Sequence, residues 1–192
     1  MSTSTTLRSL AKEERRRALL TAGARLFAER GFERVSLEEL GSAAGISGPA
    51  VYRHFPSKQA MLAFLLIDVS EGLLAGGQAV LDREGSPAET LRALVAFQVD
   101  FALAQPDVIR VQDRELESLE RLDRHVVRSY QRRYVELWVG VLAELRPAES
   151  SSDLRTRAHA TFGLINSTPH SAGRSRDTRR LLENMAEAAL LS

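Results

Sequence analysis

Between residues 31 and 58, helix caps and helix stops fall so close together that no helix there can exceed about two turns, although long helical patterns flank the region. Gly31 stands where a helix over residues 10–30 must end. Ser36 and Glu39 form an S-x-x-E capping box, and Gly45 stops the helix it starts. Ser47 is placed to cap the next helix, Pro49 fits its first turn and Pro56 closes it. Two short helices joined by a tight turn at residues 45–47, behind a longer one, make a helix-turn-helix. In that motif the second short helix enters the DNA major groove while the first crosses the backbone.

The remaining pattern is helical throughout, with no convincing strand alternation and no internal repeat. Leu19, Leu20, Ala24, Phe27 and Ala28 set the apolar face of the first helix. Ser57 opens a long apolar helix to about residue 81, in which Gly72, Gly76 and Gly77 predict a bend, fraying or close helix contact. Pro87 starts a helix to 103, Pro106 a short one, and residues 113–119 another turn or two. Residues 122–145 form a long amphipathic helix with Val126, Tyr130, Tyr134, Leu137, Trp138, Val141 and Leu145 near one side. Helices over 153–167 and 177–190 follow, with a loop at 169–176 between them. The expectation is an all-α chain of about nine or ten helices, divided into a head at 1–56 and a helical body at 57–192.

Charge is unevenly spread. The net charge is +1, yet residues 1–58 hold 10 Lys/Arg against 6 Asp/Glu, and the rest is slightly acidic. This suits an anion-facing head on a neutral body. The 44% hydrophobic and 27% charged composition is that of a soluble globular protein, and no apolar run is read as a membrane span. The Ser/Thr-rich opening lacks a secretory apolar core and is expected to be a disordered arm, which places the chain in the cytoplasm. The absence of cysteine excludes disulfides and thiolate metal sites. Four scattered histidines give no metal-ligand spacing, so no metal or other cofactor is expected.

The stretch LFAERGFERVSLEELGSAAGISGPAVYRHFPSKQAML resembles the TetR-type (tetracycline-repressor-like) transcriptional regulators over roughly residues 15–66. The matching positions are Gly31-Phe32, Val35-Ser36, Leu40, Ala44 to Ser47, Val51-Tyr52, His54-Phe55 and Lys58. Gly41 departs from the alanine usual in that family. Residue by residue, the resemblance implies that Ser36, Ser47, Tyr52, His54 and Lys58 touch the sugar-phosphate backbone. Gly48, Pro49, Ala50 and Arg53 would face or approach the bases, and Val51 and Phe55 would be core. Arg53 either pairs with a guanine or contacts a phosphate. Arg15, Arg16 and Arg17 either reach adjacent phosphates or form a solvated helix face.

The same resemblance implies an all-helical C-terminal domain that dimerises through its last long helices and encloses a small-molecule effector. The candidate walls are Phe64, Phe97, Phe101, Leu116, Leu119, Tyr130, Tyr134 and Trp138, with Asn166 as a polar anchor; Ile67 belongs to the same apolar pattern. His159, Phe162, Asn166 and His170 share a face if their helix continues past Pro169, lining a pocket or a dimer contact, or serving only as exposed and capping groups. FGLINSTPHS is similar to actinobacterial members that control lipid or acyl-CoA breakdown, which implies a hydrophobic or acyl-CoA-like effector. The whole then reads as a homodimeric repressor on a roughly palindromic operator. The rival is a helical ligand-binding or scaffold protein whose head is unused, or a regulator without a small-molecule ligand. An enzyme is disfavoured by the lack of GxSxG, HExxH, phosphate-cradling loops or paired catalytic carboxylates.

Overall fold

The computed structural model describes residues 3–168 and 176–192, with side chains described from residue 9 in the first stretch and from 177 in the second. Among these residues every regular element is helical. The order is α1 (Thr3–Arg30), α2 (Leu37–Ala43), α3 (Gly48–Val51), α4 (Lys58–Leu81), α5 (Pro87–Ala104) and α6 (Pro106–Glu115). A 3-10 turn (Leu116–Ser118), α7 (Arg121–Leu145), α8 (Ser151–Ile165) and α9 (Arg176–Leu191) complete it.

Serine hydroxyls set four of the helix starts. Ser36 and Ser86 each close a full capping box with Glu39 and Glu89, and Ser57 and Ser150 accept from Ala60 N and Asp153 N. Gly31 and Gly45, at φ 87° and 67°, end α1 and α2 in the left-handed region that only glycine enters freely.

Two apolar clusters organise the packing. The first joins Leu19, Phe27, Leu40, Val51 and Phe55 of α1–α3 to Met61, Leu62 and Leu66 of α4 and Val108 and Val111 of α6. The second gathers α5, α7, α8 and α9 around Trp138, with Leu74 and Val80 from the far end of α4. The head therefore does not own its core: burial of α4 and α6 side chains, at roughly 1.5–3 kcal/mol for each large apolar group, holds it to the body. Because α4 serves both clusters, it is apolar on most of its surface. By length and composition it is long and apolar enough to cross a membrane, contrary to the expectation that no apolar run is, although Met61, Leu62, Leu66, Leu74 and Val80 are buried in the two protein cores.

The glycines of α4 mark close helix contacts. A Cβ on Gly76 would lie 2.2 Å from Phe97 Cζ, and one on Gly77 would lie 2.7 Å from the Tyr134 ring, whereas Gly72 faces open space. Overpacking costs about 1–3 kcal/mol while an alanine returns up to about 1 kcal/mol of helix propensity. Gly77→Ala is thus expected to lower stability by about 1–2 kcal/mol in a urea titration. An unchanged midpoint would contradict the close approach.

Several local expectations are corrected. Helix α1 begins at Thr3 instead of residue 10, so the opening is helical and not a disordered arm from that point; no glycine or proline precedes Gly23 to stop it. Residues 113–119 do not form a separate helix but finish α6 and its 3-10 turn. At the start of α7, Val127 is buried and Val126 is 37% exposed, because the chain turns the second of two adjacent valines inward. The 169–175 part of the expected loop lies outside the described residues, as does His170. At the far end, Arg146 and Arg157 share Glu149 and donate to Leu191 O and Ala189 O, capping α9.

Candidate functional site

Helix α3 is four residues long, and its backbone continues as a turn, with His54 N and Phe55 N both bonding to Val51 O. Val51 and Phe55 are fully buried, so this element is pinned from beneath while Ser47, Pro49, Tyr52 and Arg53 stay exposed and Gly48, Ala50 and His54 half-exposed. Ser47 occupies the N-cap position, but its hydroxyl makes no cap bond, unlike the expected cap; Ser47 O receives Ala50 N at 2.8 Å instead. The Ser36 hydroxyl is engaged by Glu39 N, and Glu39 also bonds Arg30. These contacts, the Ser36 backbone bond first, hold the Glu39 carboxyl below its usual range. Tyr52 donates its hydroxyl to Glu38 at 3.0 Å, which raises its pKa and parks the ring across α2 and α3.

Around His54 the surface is cationic. Burial, then the charges of Lys12, Arg15, Arg16 and Arg53, push its imidazole below the usual range, and Nδ1 is buried without a partner. Arg16 itself turns inward: its guanidinium lies 3.7 Å over Phe64 and 5.3 Å from the Phe55 centroid. Arg17 pairs with Glu13 on the solvated face.

Because the folded imidazole of His54 binds a proton less readily than the unfolded one, acidification through the ordinary histidine range favours unfolding. A phosphate brought against this cationic surface reverses the penalty. A complex that sets a phosphate against His54 is therefore expected to take up a proton as it forms in mildly acidic buffer, seen by calorimetry in buffers of different ionisation enthalpy and lost in His54→Gln. Equal uptake by the variant would contradict the assignment.

The corner between α1 and α2 is held by the body. Glu115 accepts Phe32 N–H at 3.1 Å and the Ser118 hydroxyl at 3.2 Å, while Arg114 donates to Phe27 O at 2.7 Å. Lys58 donates to Phe32 O and Glu33 O at 3.0 and 3.1 Å and lies 4.5 Å over the Phe32 ring. Gln59 Nε2 donates to Ser118 O.

In the body, an inner cavity of about 190 Å³ is walled by Ser70 and Leu73 of α4, Gln98 of α5 and Gln112 of α6. Gln131, Tyr134 and Val135 of α7 and His159, Phe162 and Asn166 at α8 close it. A polar chain crosses it: Tyr134 donates to Gln98 Oε1 and Gln98 Nε2 to Asn166 Oδ1, each at 3.0 Å. Burial raises the Tyr134 pKa far above its usual value, so the phenol stays a donor. Both α4 and α6 run from this cavity to the corner, Gln112 being one turn from Glu115.

Residues 19–64 match the family model "Bacterial regulatory proteins, tetR family", and residues 84–170 match "Tetracyclin repressor-like, C-terminal domain". The HTH-type transcriptional repressor KstR2 of Rhodococcus jostii is 30% identical over 145 residues, covering 74% of this chain and 71% of that one. The chain belongs to the TetR family of transcriptional regulators. The KstR2 of Mycolicibacterium smegmatis is 31% identical over 133 residues, 68% of this chain and 64% of its own length, so the match stops short of two thirds of that relative. Among solved structures, AibR in complex with isovaleryl coenzyme A and operator DNA shares the fold at a TM-score of 0.73. It is 21% identical, and the overlap covers 92% of this chain and 98% of that one.

Within this TetR-family fold the nine candidate effector residues separate. Tyr134 and Asn166 line the inner cavity, joined by His159 and Phe162 of the predicted shared face. Trp138 is buried behind them, edge-on to Phe162, and Tyr130 packs against the same cluster. Phe97 covers Gly76, and Phe101 touches both clusters. Phe64 carries Arg16, and Leu116 and Leu119 belong to the head-side cluster. Gln98, Gln112 and Gln131 were missed. Their signal is an amide at a helix position where the register calls for an apolar residue.

Proposed function

We propose that this TetR-family regulator is a homodimeric repressor that binds a roughly palindromic operator and releases it when a small molecule occupies the body cavity. The observation that carries the release step is the continuity of α4 and α6 from cavity wall to head corner. Ser70 and Lys58 are joined through α4, and Gln112 and Glu115 through α6. An effector that shifts either helix changes the set of the head. A coupling of about 1–3 kcal/mol gives some 5 to 150-fold weaker operator binding.

In the DNA complex, Gly48, Pro49, Ala50 and Arg53 face the bases. Ser36, Ser47, Tyr52, His54 and Lys58 serve the phosphates, Lys58 through whatever donor capacity its corner contacts leave. Dimerisation through α8 and α9 is supported by Leu181 and Met185, 58% and 45% exposed one turn apart on α9, and by the small exposed residues Ala160 and Gly163 on α8, which packs against it. Two heads one DNA turn apart would read half-sites about 34–36 Å apart.

The KstR2 relatives' repressor role and the acyl-CoA and operator held by AibR support this reading. A mobility-shift titration with genomic fragments, with and without short-chain acyl-CoAs, tests it. Specific shifts reversed by an effector are expected; shifts that no cavity-binding molecule reverses would sink the release mechanism.

A further inference from the structure

The inner cavity is not the whole site. Gln131, Val135 and His159 also line an outer basin of about 450 Å³, whose other walls are His125, Arg128 and Arg132 of α7, Glu136 of α7 and Arg155 of α8. His125, Arg128 and Arg132 stand at i, i+3 and i+7, one face of the helix. Arg155 and His159, at i and i+4, share a face of the neighbouring helix.

Three guanidiniums therefore meet one carboxylate in this basin. Glu136 is already taken: Arg155 holds it with two bonds of 2.7 and 3.1 Å, which keeps its carboxyl below the usual range. Arg128 pairs outside the basin, with Glu117. Arg132 makes no ion pair or hydrogen bond among the described residues. Glu117 neutralises Arg128, which leaves Arg132, one turn on, as the unmatched cation of this face.

We propose that the basin is the anion subsite of the effector, so that the molecule sensed is an anion whose charged group rests on Arg132, with Arg128 drawn from its Glu117 pair to join it, and whose short uncharged end enters the inner cavity. This rests on the effector reading above and names the chemistry of that effector. Size supports the division: at about 190 Å³ the inner cavity is smaller than the roughly 300–1,000 Å³ of sites that enclose a whole drug-sized ligand. Its amide and hydroxyl groups suit an end carrying hydrogen-bond acceptors, such as a carbonyl, more than a long alkyl chain or a fused ring system. A planar guanidinium binds a carboxylate or a phosphate equally well by paired hydrogen bonds, and the two sources are separable by experiment.

The test is calorimetric titration, without DNA, of the full chain with isovalerate, inorganic pyrophosphate, isovaleryl-CoA and the neutral isovaleramide. At least one anionic probe is expected to bind once per chain, more weakly as salt rises. Arg128→Gln combined with Arg132→Gln should weaken it by about tenfold or more at an unchanged melting temperature. Tighter binding of pyrophosphate and isovaleryl-CoA than of isovalerate assigns a phosphate head, and the reverse order a carboxylate. No binding of any anion, equal binding by the double variant, or isovaleramide binding as tightly as the anions would overturn the proposal. Because no operator is present, an anion that binds yet fails to release DNA refutes the release mechanism and leaves the subsite standing.

Discussion

Gly48→Leu is expected to leave the free protein folded and to weaken operator binding by about 100-fold or more. A Cβ added at Gly48 meets nothing within 4 Å, and its φ is not in the left-handed region, so the free chain tolerates the side chain. The same open space is what the proposed DNA complex fills. In that proposed complex the helix backbone enters the groove closely, and an isobutyl group at its first turn would push both Ala50 and Arg53 away from the bases. Losing two such contacts at about 1–3 kcal/mol each gives the stated factor. The check pairs a melting curve with a fluorescence anisotropy titration. A variant that binds the operator as the wild type does would move the reading surface elsewhere.

Glu115→Ala is expected to cost about 2–3 kcal/mol of stability and to blunt the effector response. The Glu115 carboxylate is 9% exposed and receives a buried backbone amide from a residue 83 positions away. Its removal leaves Phe32 N–H unpaired at about 1–3 kcal/mol and also frees Ser118. For a chain of this length the melting temperature should fall by about 5–10 °C. Glu115→Gln, whose amide oxygen still accepts, should fall between the two. With the Glu115 link lost, α6 still touches the head through Arg114 and Val111 but no longer holds the Phe32 amide, so effector-induced release should shrink more than operator affinity. Wild-type release in Glu115→Ala would remove the Glu115–Phe32 bond from the transmission route.

What was legible in the sequence is what local chemistry determines. Ser36-Glu39, Ser57 and Pro87 name helix starts wherever they occur, and Gly31 and Gly45 name stops, so the fold class and the helix order follow from neighbours in the chain. The contacts that make the head responsive join residues far apart in sequence. The family resemblance makes Lys58 a phosphate ligand, whereas the fold also sets it as a clamp on the Phe32 and Glu33 carbonyls, 26 and 25 residues upstream. Arg16 was open between phosphate contact and solvated face, and it stacks on Phe64 because α4 happens to cross there. Gly76 and Gly77 offered bending or close packing; only the presence of Phe97 and Tyr134 opposite decides for packing. In the cavity, Gln98, Gln112 and Gln131 form much of the wall, while most aromatics at helical spacing simply fill the core.

The most direct measurement is selection of bound fragments from randomised or genomic DNA by the full-length protein, followed by sequencing. Enrichment of an inverted repeat whose half-sites lie about one helical turn apart is expected, lost in Gly48→Leu and reduced by the effector. Recovery of no common sequence at low salt, or the same sequence enriched equally by Gly48→Leu, would contradict it.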